Sequence, residues 1–175
     1  MVLVGLALDT DADGLGDSLE TVLGTNPLDA DSDDDGLTDG AEDANHNGAL
    51  DSGETNASHS DSDGDGIQDG TEAGVTIGIV DPDGGGPLLG TGAGFVADVN
   101  PRTTTSALDS DTDDDGFSDG QEDTNHNGAI DGAESDPNNA ASTPQAVQKV
   151  PFIPGWALVL LACVLTVVMA RRQRG

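Results

Sequence analysis

Residues 31–54 read DSDDDGLTDGAEDANHNGALDSGE, two twelve-residue units laid end to end. In the first, Asp31, Asp33 and Asp35 stand at positions 1, 3 and 5, Gly36 at 6, Asp39 at 9 and Glu42 at 12. In the second, Asp43, Asn45, Asn47, Gly48, Asp51 and Glu54 take the same six places. Short oxygen-bearing side chains at alternate positions turn inward when the backbone wraps around a point, and a glycine at position 6 allows the sharp turn this needs. A glutamate at position 12 is long enough to reach back across the ring.

This is the spacing of a calcium loop. Calcium is a hard cation that takes six to eight oxygens at roughly 2.3–2.6 Å. Position 7, here Leu37 or Ala49, contributes a backbone carbonyl to such a loop. An isolated run of this kind is also what a solvated acidic linker looks like. The pattern is not isolated. It returns at 9–20 (Asp9, Asp11, Asp13, Gly14, Asp17, Glu20) and at 61–72 (Asp61, Asp63, Asp65, Gly66, Asp69, Glu72). A second tandem pair occupies 111–134, with Asp111, Asp113, Asp115, Gly116, Asp119 and Glu122, then Asp123, Asn125, Asn127, Gly128, Asp131 and Glu134. That pair matches 31–54 at 16 of 24 positions and keeps every ligand candidate, the mark of an internal duplication in a repeat array. Six loops in one register predict about six calcium ions.

Charge points the same way. The chain has 175 residues, with 34 acids and 5 bases. All the acids precede residue 149, where the only base is Arg102 and the only aromatics are Phe95 and Phe117. Such a body cannot bury a large apolar core and repels itself, so cations must neutralise it before it compacts. Nucleic acid is excluded as a partner on charge. The single cysteine, Cys163, leaves no disulfide framework, so metal must staple the chain.

Between the loops, Asp17–Leu23 is expected to form about two helical turns stopped by Gly24, and Thr25-Asn26-Pro27 to turn the chain. Thr55 to Ser60 is a spacer of the same length as Thr25 to Ala30. Residues 73–110 break the pattern. Val75–Val80 reads as a strand and Leu88–Val99 as its glycine-weakened return, which predicts a small β-hairpin, or otherwise a loop covering the neighbouring repeat. Residues 111–137 resume the repeats and 138–149 form a polar linker. The fold class expected is a mostly irregular, extended repeat array with short helical turns, that hairpin, and one C-terminal transmembrane helix. Residues 1–8 are apolar but lack the basic start and cleavage segment of a signal peptide, which predicts further sequence upstream.

The loops, the Thr25-Asn26-Pro27 spacer and the apolar residue after the loop glycine (Leu15, Leu37, Ile67, Phe117) resemble bacterial thrombospondin type 3 repeats. The resemblance implies calcium-filled loops strung along a wire with little regular secondary structure, in a non-enzymatic surface or secreted protein, with cell adhesion among its roles. Animal members carry cysteines between loops, and this chain has none there. An EF-hand is excluded because Glu42 runs directly into Asp43 with no room for a helix between loops. A dockerin-like docking module needs a helix after each loop, and only 17–23 looks adequate. His46 and His126 sit at loop position 4, pointing away from an ion, and are expected to be exposed like His59. No catalytic constellation accompanies them.

The last stretch, VPFIPGWALVLLACVLTVVMARRQRG, changes character. Trp156–Ala170 is an unbroken apolar run of marginal but workable membrane-spanning length. Trp156 suits the interface, and Arg171, Arg172 and Arg174 are expected to stay cytoplasmic, which places the acidic body outside. The order of proline motif, apolar helix and arginine cluster resembles C-terminal sorting signals of the PEP-CTERM and IPTL-CTERM type. That resemblance implies a sorting protease as a partner and a bacterial cell envelope as the location. The alternatives are a permanent single-span anchor, and a chain that is the C-terminal stalk of a larger secreted enzyme or adhesin.

Overall fold

The computed structural model describes residues 8–144, within a unit bounded at Gln145. The predicted membrane span and sorting signal at 150–175 lie outside the described residues. Among the described residues, no helix is long and apolar enough to cross a membrane.

Loops dominate. Four short helices punctuate them: α1 (Asp17–Leu23), α2 (Asp39–Glu42), α3 (Asp69–Glu72) and α4 (Asp119–Glu122). Each begins at loop position 9. α1 runs for the two turns its sequence predicts and stops at Gly24 (φ 105°), whose N–H returns to the Glu20 carbonyl at 2.7 Å. The other three end at the position-12 glutamate.

All six loops share one backbone path. Position 4 is left-handed in every case: Ala12 (φ 63°), Asp34 (65°), His46 (52°), Gly64 (81°), Asp114 (60°) and His126 (55°). Position 6 is always a glycine with positive φ, from 73° at Gly128 to 106° at Gly66. At the foot of three loops, the position-9 N–H bonds the carbonyl of the residue that precedes position 1: Asp17 to Leu8, Asp69 to Ser60 and Asp119 to Ser110.

Successive repeats stack through a glycine at position 10. The Gly40 N–H donates to Asp13 Oδ2 at 2.7 Å, and Gly120 N–H donates to Asp65 Oδ2 at 2.5 Å. A Cβ on Gly70 or Gly120 would collide with the backbone carbonyl of Asp35 or Asp65. His46 and His126 reinforce the stack. Their Nε2 atoms bond the carbonyls of Gly40 (3.0 Å) and Gly120 (3.2 Å), and the His126 ring also lies against Gly66. His46 stays exposed, whereas His126 is half-buried and more than a surface side chain.

The hairpin expected in 73–110 is corrected. The described residues contain no strand, only one parallel bridge between Asp29 and Leu89. The alternation of Val75–Val80 has no apolar face to meet, and Ile77 and Val80 stand exposed. The segment instead works as a strap. Leu89 exchanges backbone bonds with Leu28 and Ala30, Gly92 N–H donates to Asp34, and Phe95 lies over Gly36. Val96 bonds Gln68 and Thr71 (2.7 and 2.5 Å), Val99 N–H reaches the Asn127 carbonyl (2.8 Å), and Thr103 reaches the Gly128 carbonyl.

Repeat-like order continues past the last loop. In the spacers, the second residue's N–H bonds a hydroxyl six residues on: Asn26 to Ser32, Asn56 to Ser62 and Ser106 to Thr112. Asp136 does the same with Ser142 at 3.0 Å, although Ala141 stands where a loop would begin with aspartate.

The buried interior is inverted. Leu15, Ala30, Ala57 and Ile67 are the buried apolar residues among those described, whereas thirteen aspartates and glutamates are buried. Arg102 is exposed.

Candidate metal centres

Within a loop, the aspartates divide the work by position. The position-1 carboxylate ties down the turn: Asp31 accepts from the N–H groups of Asp35 (3.1 Å) and Gly36 (3.0 Å), and Asp111 from Asp115 and Gly116. Asp43 accepts likewise from Asn47 and Gly48, and Asp61 from Gly64 and Gly66. At position 5, Oδ1 accepts from the position-7 N–H at 2.7–2.9 Å in Asp13, Asp35, Asp65 and Asp115, while Oδ2 of Asp13 and Asp65 accepts from Gly40 and Gly120 of the next repeat.

Position 9 has a structural duty that spacing did not reveal. Both oxygens of Asp39 are engaged by Ser32, one by its N–H (2.9 Å) and one by its hydroxyl (2.7 Å). Asp17 holds Thr10, Asp69 holds Ser62 and Asp119 holds Thr112 in the same way. The sequence carried the signal, since those four loops alone pair a Ser or Thr at position 2 with an exclusively acidic ligand set.

What remains unpartnered points to a cation. Asp11 Oδ2, both oxygens of Asp33, and Oδ2 of Asp35, Asp63, Asp113 and Asp115 are buried without a hydrogen-bond partner. So are both oxygens of Glu20, Glu42 and Glu122, and Oε2 of Glu72. These are positions 3, 5 and 12. The four glutamates are 0–2 % exposed. A buried carboxylate with neither donor nor counter-charge is costly, and native proteins keep such groups only where something pairs them. Aspartate triads converge in each loop: Asp9, Asp11 and Asp13; Asp31, Asp33 and Asp35; Asp61, Asp63 and Asp65; Asp111, Asp113 and Asp115. In each triad the ligand oxygens lie within 4.8 Å of one another. All-oxygen, anionic donor sets of this size fit calcium.

The asparagine-bearing loops differ. Glu54 is turned onto its own loop, accepting from Asn45 N–H (3.2 Å), Asn45 Nδ2 (2.8 Å) and Asp51 N–H (2.9 Å). Asp51 accepts from Asn47 (2.6 Å) and Asn45 (3.1 Å), which hold its carboxyl below the usual range. Glu134 accepts from Thr124, Asn125 and Asp131, and Asp131 from Asn127. Asp43 and Asp123 are buried, while Asp51 and Asp131 are exposed. These two loops have the backbone of the others but fewer charges, and their acids already accept hydrogen bonds, Asp123 through Oδ2 alone with Oδ1 buried and unpartnered.

Burial, and then repulsion from neighbouring carboxylates, pushes Glu20 up to about 8 and Glu42 to about 10. Burial raises Glu72 to about 9 even though the Thr105 hydroxyl (2.9 Å) pulls it back, and raises Glu122 too. Burial first and carboxylate neighbours second lift Asp33 to about 7. Without metal, the folded state therefore binds more protons than the unfolded chain. Its stability is greatest below the ordinary carboxylate range near 4.5 and is lost as pH rises through about 8–10. Calcium needs the same groups ionised, which reverses the slope. In chelator, the melting temperature is expected to rise between pH 8 and pH 5. In saturating calcium it is expected to fall over the same interval. Parallel slopes in the two conditions would show that these carboxylates are not the calcium ligands.

Comparison with known proteins agrees with this geometry. The bacterial TSP3 repeat matches four segments, residues 9–30, 31–46, 61–73 and 111–126, which together cover less than half of the chain. The matches contain the four loops whose position-12 glutamates are buried, and stop short of completing 43–54 and 123–134. TSP3 repeats are calcium-binding repeats. No curated protein and no solved structure matches the chain.

Proposed function

We propose that this chain is a non-enzymatic calcium-binding protein of the bacterial cell surface, whose repeats form a calcium-rigidified spacer held at the envelope by its C-terminal segment. The observation that carries the calcium reading is the set of buried, unpartnered carboxylate oxygens at positions 3, 5 and 12 of four loops. The mechanism is neutralisation. Ions remove the repulsion among carboxylates that the fold gathers, and metal binding supplies folding free energy that the four buried apolar residues among those described cannot. The surface location and the anchor are supported by the apolar run Trp156–Ala170 and the arginines that follow it.

Calorimetric titration of calcium into the chelator-stripped full-length chain tests the reading. About six ions are expected, at the ~10⁻⁴–10⁻³ M affinity of extracellular modules. The loops at 9–20, 31–42, 61–72 and 111–122 are expected to fill before 43–54 and 123–134, whose ligands must first give up their present hydrogen bonds. Fewer than two sites would reduce the ladder to a solvated acidic linker. In cell fractionation, the full-length chain is expected with the membranes and a chain ended at residue 149 without them; equal distribution would remove the anchor.

A further inference from the structure

The junction between loops 31–42 and 61–72 is unlike the others. At the flanking junctions, the position-5 carboxylate oxygen that faces the next repeat is taken by the Gly40 or Gly120 N–H. At this one, Asp35 Oδ2 is left without a partner. Asp35, Glu42 and Asp69, all buried, bring one carboxylate oxygen each within 4.8 Å of the others. Two belong to one repeat and the third to the next. Glu42 is 2 % exposed with neither oxygen partnered, so the cluster is aimed at something absent from the hydrogen-bond network. The strap crosses the outside of this same junction, with Thr91 bonded to Asp31 on one repeat and Val96 bonded to Gln68 and Thr71 on the other.

We propose that Asp69 is a ligand for the divalent cation of the preceding loop, so that this site straddles two repeats and its ion fastens them together. The assignment rests on the calcium reading above and goes beyond it: the spacing of residues places Asp69 with its own loop, 61–72. Asp69 serves both repeats, holding Ser62 at 2.6–2.8 Å while turning toward Asp35 and Glu42. Filling the 31–42 site therefore draws the 61–72 repeat into place, and the strap locks the pair from outside.

The test is equilibrium calcium binding to full-length variants. Asp69→Asn keeps an oxygen acceptor for Ser62 and is expected to weaken one site by about 10–100-fold. Asp114→Asn is the control, at an exposed aspartate in loop position 4, which is none of the ligand positions. It is expected to leave affinities near those of wild type. Combined with Glu42→Gln, Asp69→Asn is expected to lose no second site, because both residues hold one ion; combined with Glu72→Gln, it is expected to lose two. Equal effects of Asp69→Asn and Asp114→Asn, or additive losses with Glu42→Gln, would overturn the shared site. A wild-type chain that bound no calcium would overturn the underlying reading instead. Should Asp69→Asn unfold the array, Asp69→Glu carries the same comparison, since it keeps the charge and displaces it by one methylene.

Discussion

On chelation at neutral pH or above, the backbone amides of residues 8–144 lose their hydrogen-exchange protection together, and calcium restores it. The amides to watch are those the position-1 aspartates hold: Gly36, Gly48, Gly66, Gly116 and Gly128. Their bonds exist only while each loop stays closed around its carboxylates. Two ionised carboxylates 4.8 Å apart repel by roughly 3–4 kcal/mol at an effective dielectric of 20, and each of the four all-acidic loops gathers more than one such pair. A net stability of about 5–15 kcal/mol cannot carry that load in several loops at once. Among the described residues only Leu15, Ala30, Ala57 and Ile67 are buried apolar ones, too few to offset it. The loss is expected to be collective, because stacking ties each loop to its neighbours. Protection that survived chelation at pH 8 would mean that hydrogen bonds alone hold the array and the ions are incidental.

The second large effect comes from one methyl group. Gly70→Ala, inside α3, is expected to destabilise the calcium-loaded protein by about 2–3 kcal/mol, although alanine is the better helix former by about 1 kcal/mol. The added Cβ would overlap the Asp35 carbonyl, and that oxygen cannot move without opening the loop that Asp31 and Asp35 close. Thermal unfolding in saturating calcium measures it, with a fall in Tm of roughly 10 °C for a domain of this size. Gly94→Ala is the reference, since nothing lies within 4 Å of its added methyl; its Tm is expected to stay close to that of wild type. If Gly70→Ala melted with Gly94→Ala, the repeats would not be stacked through position 10.

Much of the loop architecture was legible in the sequence because it is local. The alternation of Asp31, Asp33 and Asp35, the glycine at position 6 and the α1 stop at Gly24 each depend on residues a turn or two away. Contacts between repeats were not legible. Gly40, Gly70 and Gly120 recur at position 10 in plain view, but their meaning depends on which loop lies above them, and the partner residues are 27, 35 and 55 positions distant. The first loop, with no repeat stacked ahead of it among the described residues, has Ser18 there. The hairpin expected at 73–110 does not form for a related reason, and the covering loop that was its alternative does. Alternation predicts a strand only when one face has something to bury against, and the surface beneath Thr91 and Gly92 offers the carboxylates of Asp31 and Asp34. Hydroxyls and backbone N–H groups suit that surface better than a sheet does.

Anyone cutting this chain into recombinant pieces would naturally stop after the last loop, at Glu134. The spacer geometry from Asp136 to Ser142 argues for a later boundary. Ser135 is buried beside Glu122 as Thr105 is beside Glu72, so a fragment ended at 134 would strip the wall from the site at 111–122 while leaving all its ligands in place. Such a fragment would contain every candidate ligand of the array and still misreport its affinity. The natural module is a loop or loop pair together with the spacer that follows it.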